Sequence, residues 1–344
     1  MFKRITALSM AVIMTAAMMF GCAKKDNSKE NNQTKETTTA EEITSASKKD
    51  VNIAVLKGAT AIGMVSLMDS SDKGTASNNY KFEIHGTADE INTKLIKGEL
   101  DMACVPCNVA SVLYNKTEGK IQMAAINTLG VLYIVETGNS INSVSDLKGK
   151  TIYATGQNTT PEYTLRHLLS SNGIDPDKDV NIQFKSEASE VAAMLSEADD
   201  AIAMLPQPYV TSAMLKNDKV RIALDVTAEW EKNTKDSTVV TGVLVVRKEY
   251  AEKNPDVMTA FLKEYSNSIA FASNETDKCA ELLEGYDIFK AAVAKKAMPY
   301  ITTKYIDGDE MVTKTTSYLK ALYDQNSKSI GGNMPGDDFF YISK

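Results

Sequence analysis

Two cysteines with two residues between them, Cys104 and Cys107 in DMACVPCNVAS (Asp101–Ser111), have the spacing of a redox dithiol or of half a zinc site. Each chemistry makes further demands. A reactive dithiol lowers its pKa at a helix N-terminus or beside a cation, and a structural zinc ion takes four ligands. Of the remaining donors, Cys279, His85 and His167 are scattered along the chain and Cys22 lies near its start. No Gly-x-Ser-x-Gly elbow or His-Glu-x-x-His helix occurs either. Pro106, Cys107 and Asn108 are then better read as a loop at the end of a buried strand, with Cys104 a small apolar residue inside it. On that reading Cys107 and Asn108 line a cleft, and alkylating Cys107 is expected to weaken ligand binding.

The elements around this loop alternate. Val51–Leu56, Tyr80–His85 and Asp101–Val105 read as strands, and Ala61–Ser70, Ala88–Ile96 and Asn108–Asn115 as helices. The pattern restarts after the apolar run Ile121–Val135. Lys150–Thr155, Asn181–Phe184, Asp200–Leu205 and Val220–Leu224 are strands; Pro161–Ser170, with proline at its first position, and Glu187–Glu197 are helices. Thr241–Arg247 is a further strand, and the chain ends helically. Such alternation predicts two α/β lobes, each a mostly parallel sheet flanked by helices, with the second inserted in the first. Residues 51–132 and 242–344 make lobe I and 133–241 lobe II, joined by a two-strand hinge at Gly130–Val135 and Thr238–Val245. One echo pairs the lobes: EINTKLIKGELDMACVPCNVASVL and EVAAMLSEADDAIAMLPQPYVTSAML share the order helix, acidic residue, strand, proline loop, helix.

Ligands of open α/β sheets bind at the carboxyl ends of the strands. The candidate contacts in lobe I are Ala59, Thr60 and Ala61 in the small-residue loop that opens a helix, Thr87, Cys107 and Asn108. That first loop lacks a Gly-Lys-Ser/Thr and is no Walker loop. In lobe II they are Gln157, Asn158 and Thr159 before Pro161, where Thr160 caps the helix, and Gln207 and Tyr209 in a loop stiffened by Pro206 and Pro208. Thr241 lies in the second crossing segment. His85 reads as structural, Trp230 as a cover for the lobe's edge, and Met64 and Met68 as core.

Acidic residues outnumber basic ones, 45 to 38, and no basic cluster occurs outside the first 50 residues, which argues against a nucleic-acid partner. Lys3 and Arg4 precede an apolar run, Ile5–Phe20, shorter than the roughly 20 residues that span a bilayer, so residues 1–21 read as a signal peptide. Met19-Phe20-Gly21-Cys22 resembles the lipobox of bacterial lipoproteins, which implies cleavage before Cys22 and a lipid on its thiol. Residues 22–50 carry one large apolar side chain, Ile43, and are expected to form a disordered tether spanning roughly 30 Å.

LIKGELDMACVP, SVSDLKGKTIYATG, AIAMLPQPYVTSAML and TGVLVVRKEYAEKNPDVMTAFLKEY, in this order, resemble the solute-binding lipoproteins of ABC importers. The resemblance is to the type II periplasmic-binding-protein group that takes sulfonates, taurine, nitrate and thiamine pyrimidines. It implies a Venus-flytrap fold and an extracytoplasmic protein anchored to a bacterial membrane through Cys22. It further implies hinge closure on a small organic solute and delivery to a membrane permease, by a monomer with no cofactor, no metal and no enzymatic activity. The candidate loops hold no arginine, which disfavours a strongly anionic ligand. A pyrimidine-like vitamin precursor or other small heteroaromatic is expected first and an aliphatic sulfonate second. A ligand-sensing lipoprotein using the same cleft, or an enzyme related to thiamine-pyrimidine synthases, would be the alternatives.

Overall fold

β-Branched and small apolar residues on both faces of a strand require cover on both sides, and the chain supplies it with helices. The computed structural model describes residues 48–343. The expected signal peptide, Cys22 and the expected tether up to residue 47 lie outside the described residues. Strand pairing starts slightly earlier than expected, with the Asn79 N–H already donating to Lys49 O at 2.9 Å.

The first sheet takes up β1 (Asp50–Leu56), followed by the short α1 (Ala59–Ile62) and α2 (Val65–Asp72); β2 (Asn79–His85) and α3 (Ala88–Lys97); β3 (Met102–Pro106) and α4 (Cys107–Lys116); and β4 (Ile121–Thr128). The chain then crosses to a second sheet, which holds β5 (Leu132–Thr137), β6 (Thr151–Ala154), α5 (Thr160–Ser171), β7 (Asn181–Phe184), α6 (Ala188–Glu197), β8 (Ile202–Pro206), α7 (Tyr209–Lys216), β9 (Val220–Asp225) and α8 (Val226–Asn233). It returns through β10 (Gly242–Arg247), α9 (Lys248–Lys253), α10 (Pro255–Asn274), α11 (Thr276–Gly285), α12 (Ala291–Ala297), β11 (Thr303–Ile306) and α13 (Gly308–Gln325).

The strand orders are β11-β4-β10-β3-β1-β2 and β7-β6-β8-β5-β9. Apart from β11 they are the same arrangement. In each, a central strand (β3 or β8) runs parallel to its neighbour on one side (β1 or β6) and antiparallel to the strand on the other (β10 or β5). The sheets are therefore mixed rather than mostly parallel. β5 and β10 each follow a crossing between sheets, so they enter from the opposite end and run against their neighbours. The echo in the sequence is α3-β3-α4 against α6-β8-α7. The expected single helix Ala61–Ser70 is two, α1 and α2, interrupted at Gly63 and Met64.

Two crossing segments, residues 129–131 and 234–241, are bonded to each other. Thr241 N–H donates to Thr128 O at 3.0 Å, and its hydroxyl donates to Leu129 O. The lobes also pack directly. Tyr318 of α13 and Thr164 of α5 share a buried hydrogen bond of 2.7 Å between hydroxyls. The Trp230 ring of α8 sits between Tyr318, 5.2 Å away, and His167, 4.1 Å away. Trp230 is thus fully buried at the lobe junction instead of covering an edge.

Burial lowers the pKa of His167, whose Nε2 lies 2.8 Å from the Thr234 hydroxyl. A lowered folded-state pKa means that the unfolded chain takes up the proton first. The stability held at neutral pH is lost as pH falls below the unfolded value of about 6.5 toward the folded one, and levels off below that. His167→Gln should flatten this part of the profile, read as the difference in urea midpoint between variant and parent from pH 7 to 5. Parallel profiles would show that His167 does not titrate differently in the two states.

Candidate functional site

The carboxyl ends of β1, β3, β6 and β8 bring the loops of both lobes toward one gap, where two helix N-termini meet. Asn108, in the first turn of α4, and Thr160, the first residue of α5, are both fully buried. The Thr160 hydroxyl donates to Asn108 Oδ1 at 3.1 Å. The Asn108 amide in turn donates to Ser329 O at 2.9 Å and reaches Asn158 O at 3.4 Å. Thr160 therefore does not cap its own helix. Thr159 occupies the N-cap position, its hydroxyl turned back to Gly156 O at 2.7 Å, and Glu162 accepts the Asn158 N–H at 2.7 Å. Pro161 is the second residue of the helix. Gln157 and Asn158 are exposed at the rim.

Cys107 is the first residue of α4 rather than part of a loop, because the helix starts directly after Pro106. Its backbone N–H donates to Thr241 O, and its thiol lies in the lobe I core with Val105, Ala110 and Tyr318. Burial pushes the thiol well above the usual cysteine range, and pushes Cys104 up to about 11 and Cys279 up to about 12. All three are buried, protonated thiols, the reverse of an activated dithiol. Alkylating reagents are expected to leave Cys104, Cys107 and Cys279 unmodified in the native protein and to label all three in urea, as read by peptide mass mapping. Labelling of Cys107 in native buffer would mean that the lobes open far enough to expose it.

Thr60 and Ala61 are buried in α1, and the Thr60 hydroxyl donates to Leu56 O at 3.0 Å. Ala59 is nearly as buried. Gly242 lies against Thr60 and Asn127, where a Cβ would approach Thr60 Cγ2 to 2.5 Å and Asn127 Oδ1 to 2.6 Å. Only glycine lets β10 pass so close. Thr60, Cys107, Asn108 and Thr241 are thus gathered around the end of β10, while Thr87 is the N-cap of α3, beside Gly86. His85 is held between two carboxylates, Glu90 at 2.8 Å and Glu83 at 2.9 Å, and is structural.

In lobe II, Gln207 is fully buried and Tyr209 partly so. The Tyr209 ring meets Phe289 of lobe I edge-on at 5.2 Å, and its hydroxyl is pushed up to about 12 by burial and by the charge of Glu187. Glu187, at the N-cap of α6, also faces lobe I: a Cβ on Gly86 would sit 3.6 Å from its Oε1. Sequence reasoning missed Glu187 and Phe289. Glu187 follows β7 at a strand's carboxyl end, which is the signal that could have found it; Phe289 lies between α11 and α12 and carried no such signal. Every arginine among the described residues is committed elsewhere: Arg166 to Glu162 and Asp177, Arg221 to Glu136, Arg247 to Asp101. The candidate residues brought to the gap are thus amides, hydroxyls, aromatic rings and the Glu187 carboxylate, while Lys57, directly after β1, pairs with Asp287 at 3.7 Å. Among the described residues no cluster of histidine, cysteine or carboxylate groups could hold a metal ion, and no helix is long and apolar enough to cross a membrane.

Two lobes of matching topology, with the second inserted in the first and both presenting strand ends to one gap, define the type II periplasmic-binding-protein fold. Solved structures of this fold match along almost their whole length. An ABC transporter protein from Parabacteroides distasonis is 21% identical, with a TM-score of 0.71 over 86% of this chain and 99% of that one. The periplasmic aliphatic sulphonate binding protein of Escherichia coli is 14% identical, with a TM-score of 0.68 over 87% and 94%. The alkanesulfonate-binding protein of Xanthomonas axonopodis pv. citri, bound to MOPS, is 11% identical, with a TM-score of 0.66 over 84% and 96%. No curated protein matches the chain in sequence. The family described as NMT1/THI5 like matches residues 85–278, more than half of the chain, and the protein belongs to that family.

Proposed function

We propose that this protein is the substrate-binding lipoprotein of an ABC importer, held at the outer face of a bacterial cell membrane by a lipid on Cys22. It captures a small organic solute between its lobes and hands it to the permease. It binds and releases its solute as a monomer, without chemistry. Segments 129–131 and 234–241 act as the hinge, and a ligand touching both lobes favours the closed form by its differential affinity.

The observation that carries the ligand class is the lining of the gap. Tyr209 and Phe289 offer an edge-to-face aromatic pair, Glu187 a single acceptor for a donor group, and the amides and hydroxyls neutral partners, while each described arginine is tied up in an ion pair. This suits a small neutral heteroaromatic such as an aminopyrimidine, whose ring stacks and whose exocyclic amine can meet a carboxylate.

Thermal unfolding against aminopyrimidines, nucleobases, alkanesulfonates and amino acids tests the reading. A ligand at 100 times its dissociation constant should stabilise by about 2.7 kcal/mol. Stabilisation by an aminopyrimidine and not by sulfonates is the expected result. A response confined to sulfonates would overturn the ligand class, and no response from any compound would overturn the binding role.

A further inference from the structure

Gln207 combines full burial with a side chain satisfied at one end only. It lies between the end of β8 and the start of α7. Its Oε1 accepts from the Thr211 N–H at 3.2 Å and from the Thr211 hydroxyl at 2.8 Å. An amide N–H can only donate, so the Thr211 backbone fixes which end of the glutamine is oxygen. The other end, Nε2, has two hydrogens and no partner. Leaving a buried donor unpaired is costly, and a protein retains one where something else completes the bond.

The place is specific. Gln207 N–H donates to Val131 O at 2.9 Å, which ties the residue to the first crossing segment, and Tyr209 follows two residues later. A second unpartnered atom, Thr227 Oγ1, lies against the same segment: a Cβ on Gly130 would come within 2.4 Å of it. A donor and a hydroxyl, both without partners, thus flank residues 130 and 131 where the chain passes between the lobes.

We infer that Gln207 Nε2 is a fixed ligand donor at the foot of the gap, with Thr227 Oγ1 on the other side of residues 130 and 131, so that the bound solute presents a hydrogen-bond acceptor to Gln207. In an aminopyrimidine the acceptor is a ring nitrogen. This assignment rests on the binding role proposed above.

Gln207→Glu separates the two ends of the side chain. A carboxylate still accepts from both Thr211 groups and suits a helix N-terminus, so these local bonds are kept, while in its ionised form the free donor becomes an acceptor. Thr227→Val is the companion variant, isosteric and remote from the Thr211 contacts. Binding of 4-amino-2-methylpyrimidine and of methanesulfonate is measured by calorimetry on the parent and both variants. The expected result is a parent that binds one probe, at least tenfold weaker binding of that probe by Gln207→Glu, and a smaller loss in Thr227→Val. If the parent binds and both variants bind equally well, a buried water satisfies these atoms and the assignment is overturned while the binding role stands. If Gln207→Glu fails to fold, unchanged binding by Thr227→Val overturns the assignment and weakened binding supports it. A parent that binds neither probe overturns the ligand class and the assignment with it.

Discussion

Trp230→Ala is expected to lose about 3–5 kcal/mol of stability, the range for removing a buried tryptophan from a core that cannot fully collapse. Collapse is restricted here because the ring is held from several sides. His167 of α5 lies on one side and Tyr318 of α13 on the other, while the indole N–H donates to Ser237 Oγ at 3.2 Å in the second crossing segment. Those partners belong to elements of both lobes, so no single helix can shift to fill the space. The measurement is urea unfolding followed by circular dichroism, because Trp230 is the only tryptophan and its removal abolishes the tryptophan fluorescence. Trp230→Phe, which keeps a ring between its neighbours, should recover a large part of the loss. A midpoint change worth less than about 1 kcal/mol in Trp230→Ala would mean that the lobes do not depend on this junction.

The same residue shows where sequence reasoning reaches its limit. Within Ala228-Glu229-Trp230-Glu231-Lys232 it is surrounded by charged and polar neighbours, and local pattern places it at a surface. It is buried because α13, nearly ninety residues later, covers it, and no local periodicity encodes that contact. The strands were legible for the opposite reason. Val51–Leu56, Asn181–Phe184 and Val220–Leu224 are short β-branched or apolar runs between turn signals, and the structure has strands there, extended by a residue at most.

The candidate site divides along the same line. Loops at the ends of strands could be placed once the βα alternation was read, and so Asn108, Gln207 and Tyr209 were singled out as candidates. Thr160 was assigned to capping because a threonine before a proline-opened helix satisfies that rule locally. Its hydroxyl turns to the other lobe because the facing helix N-terminus brings a buried acceptor within 3.1 Å, an alternative invisible until the lobes are assembled. Phe289 and Glu187 likewise become candidates only through the lobe they face.

Thr160→Val isolates that contact between the lobes. Valine matches the shape of threonine and, as the first residue of α5, takes a helical conformation at small cost. The change removes one hydroxyl. Asn108 Oδ1 is then left without its donor in a site closed to water, while its amide keeps Ser329 O within the same lobe. The penalty of about 1–3 kcal/mol for an unsatisfied buried acceptor applies only when the lobes are together, since separation lets water reach Asn108. The substitution should therefore act on closure more than on the folding of either lobe. If the closed form holds a comparable margin over the open one, the shift corresponds to a roughly 5- to 150-fold fall in its population relative to the open form, and ligand affinity should fall by up to the same factor. X-ray scattering of the ligand-free variant should give a larger radius of gyration than the parent, and a stabilising ligand should restore the parent value. Unchanged scattering together with unchanged affinity would show that the closed arrangement is held by the Trp230 and Tyr318 junction alone, and that the facing helix N-termini contribute nothing to the closing equilibrium.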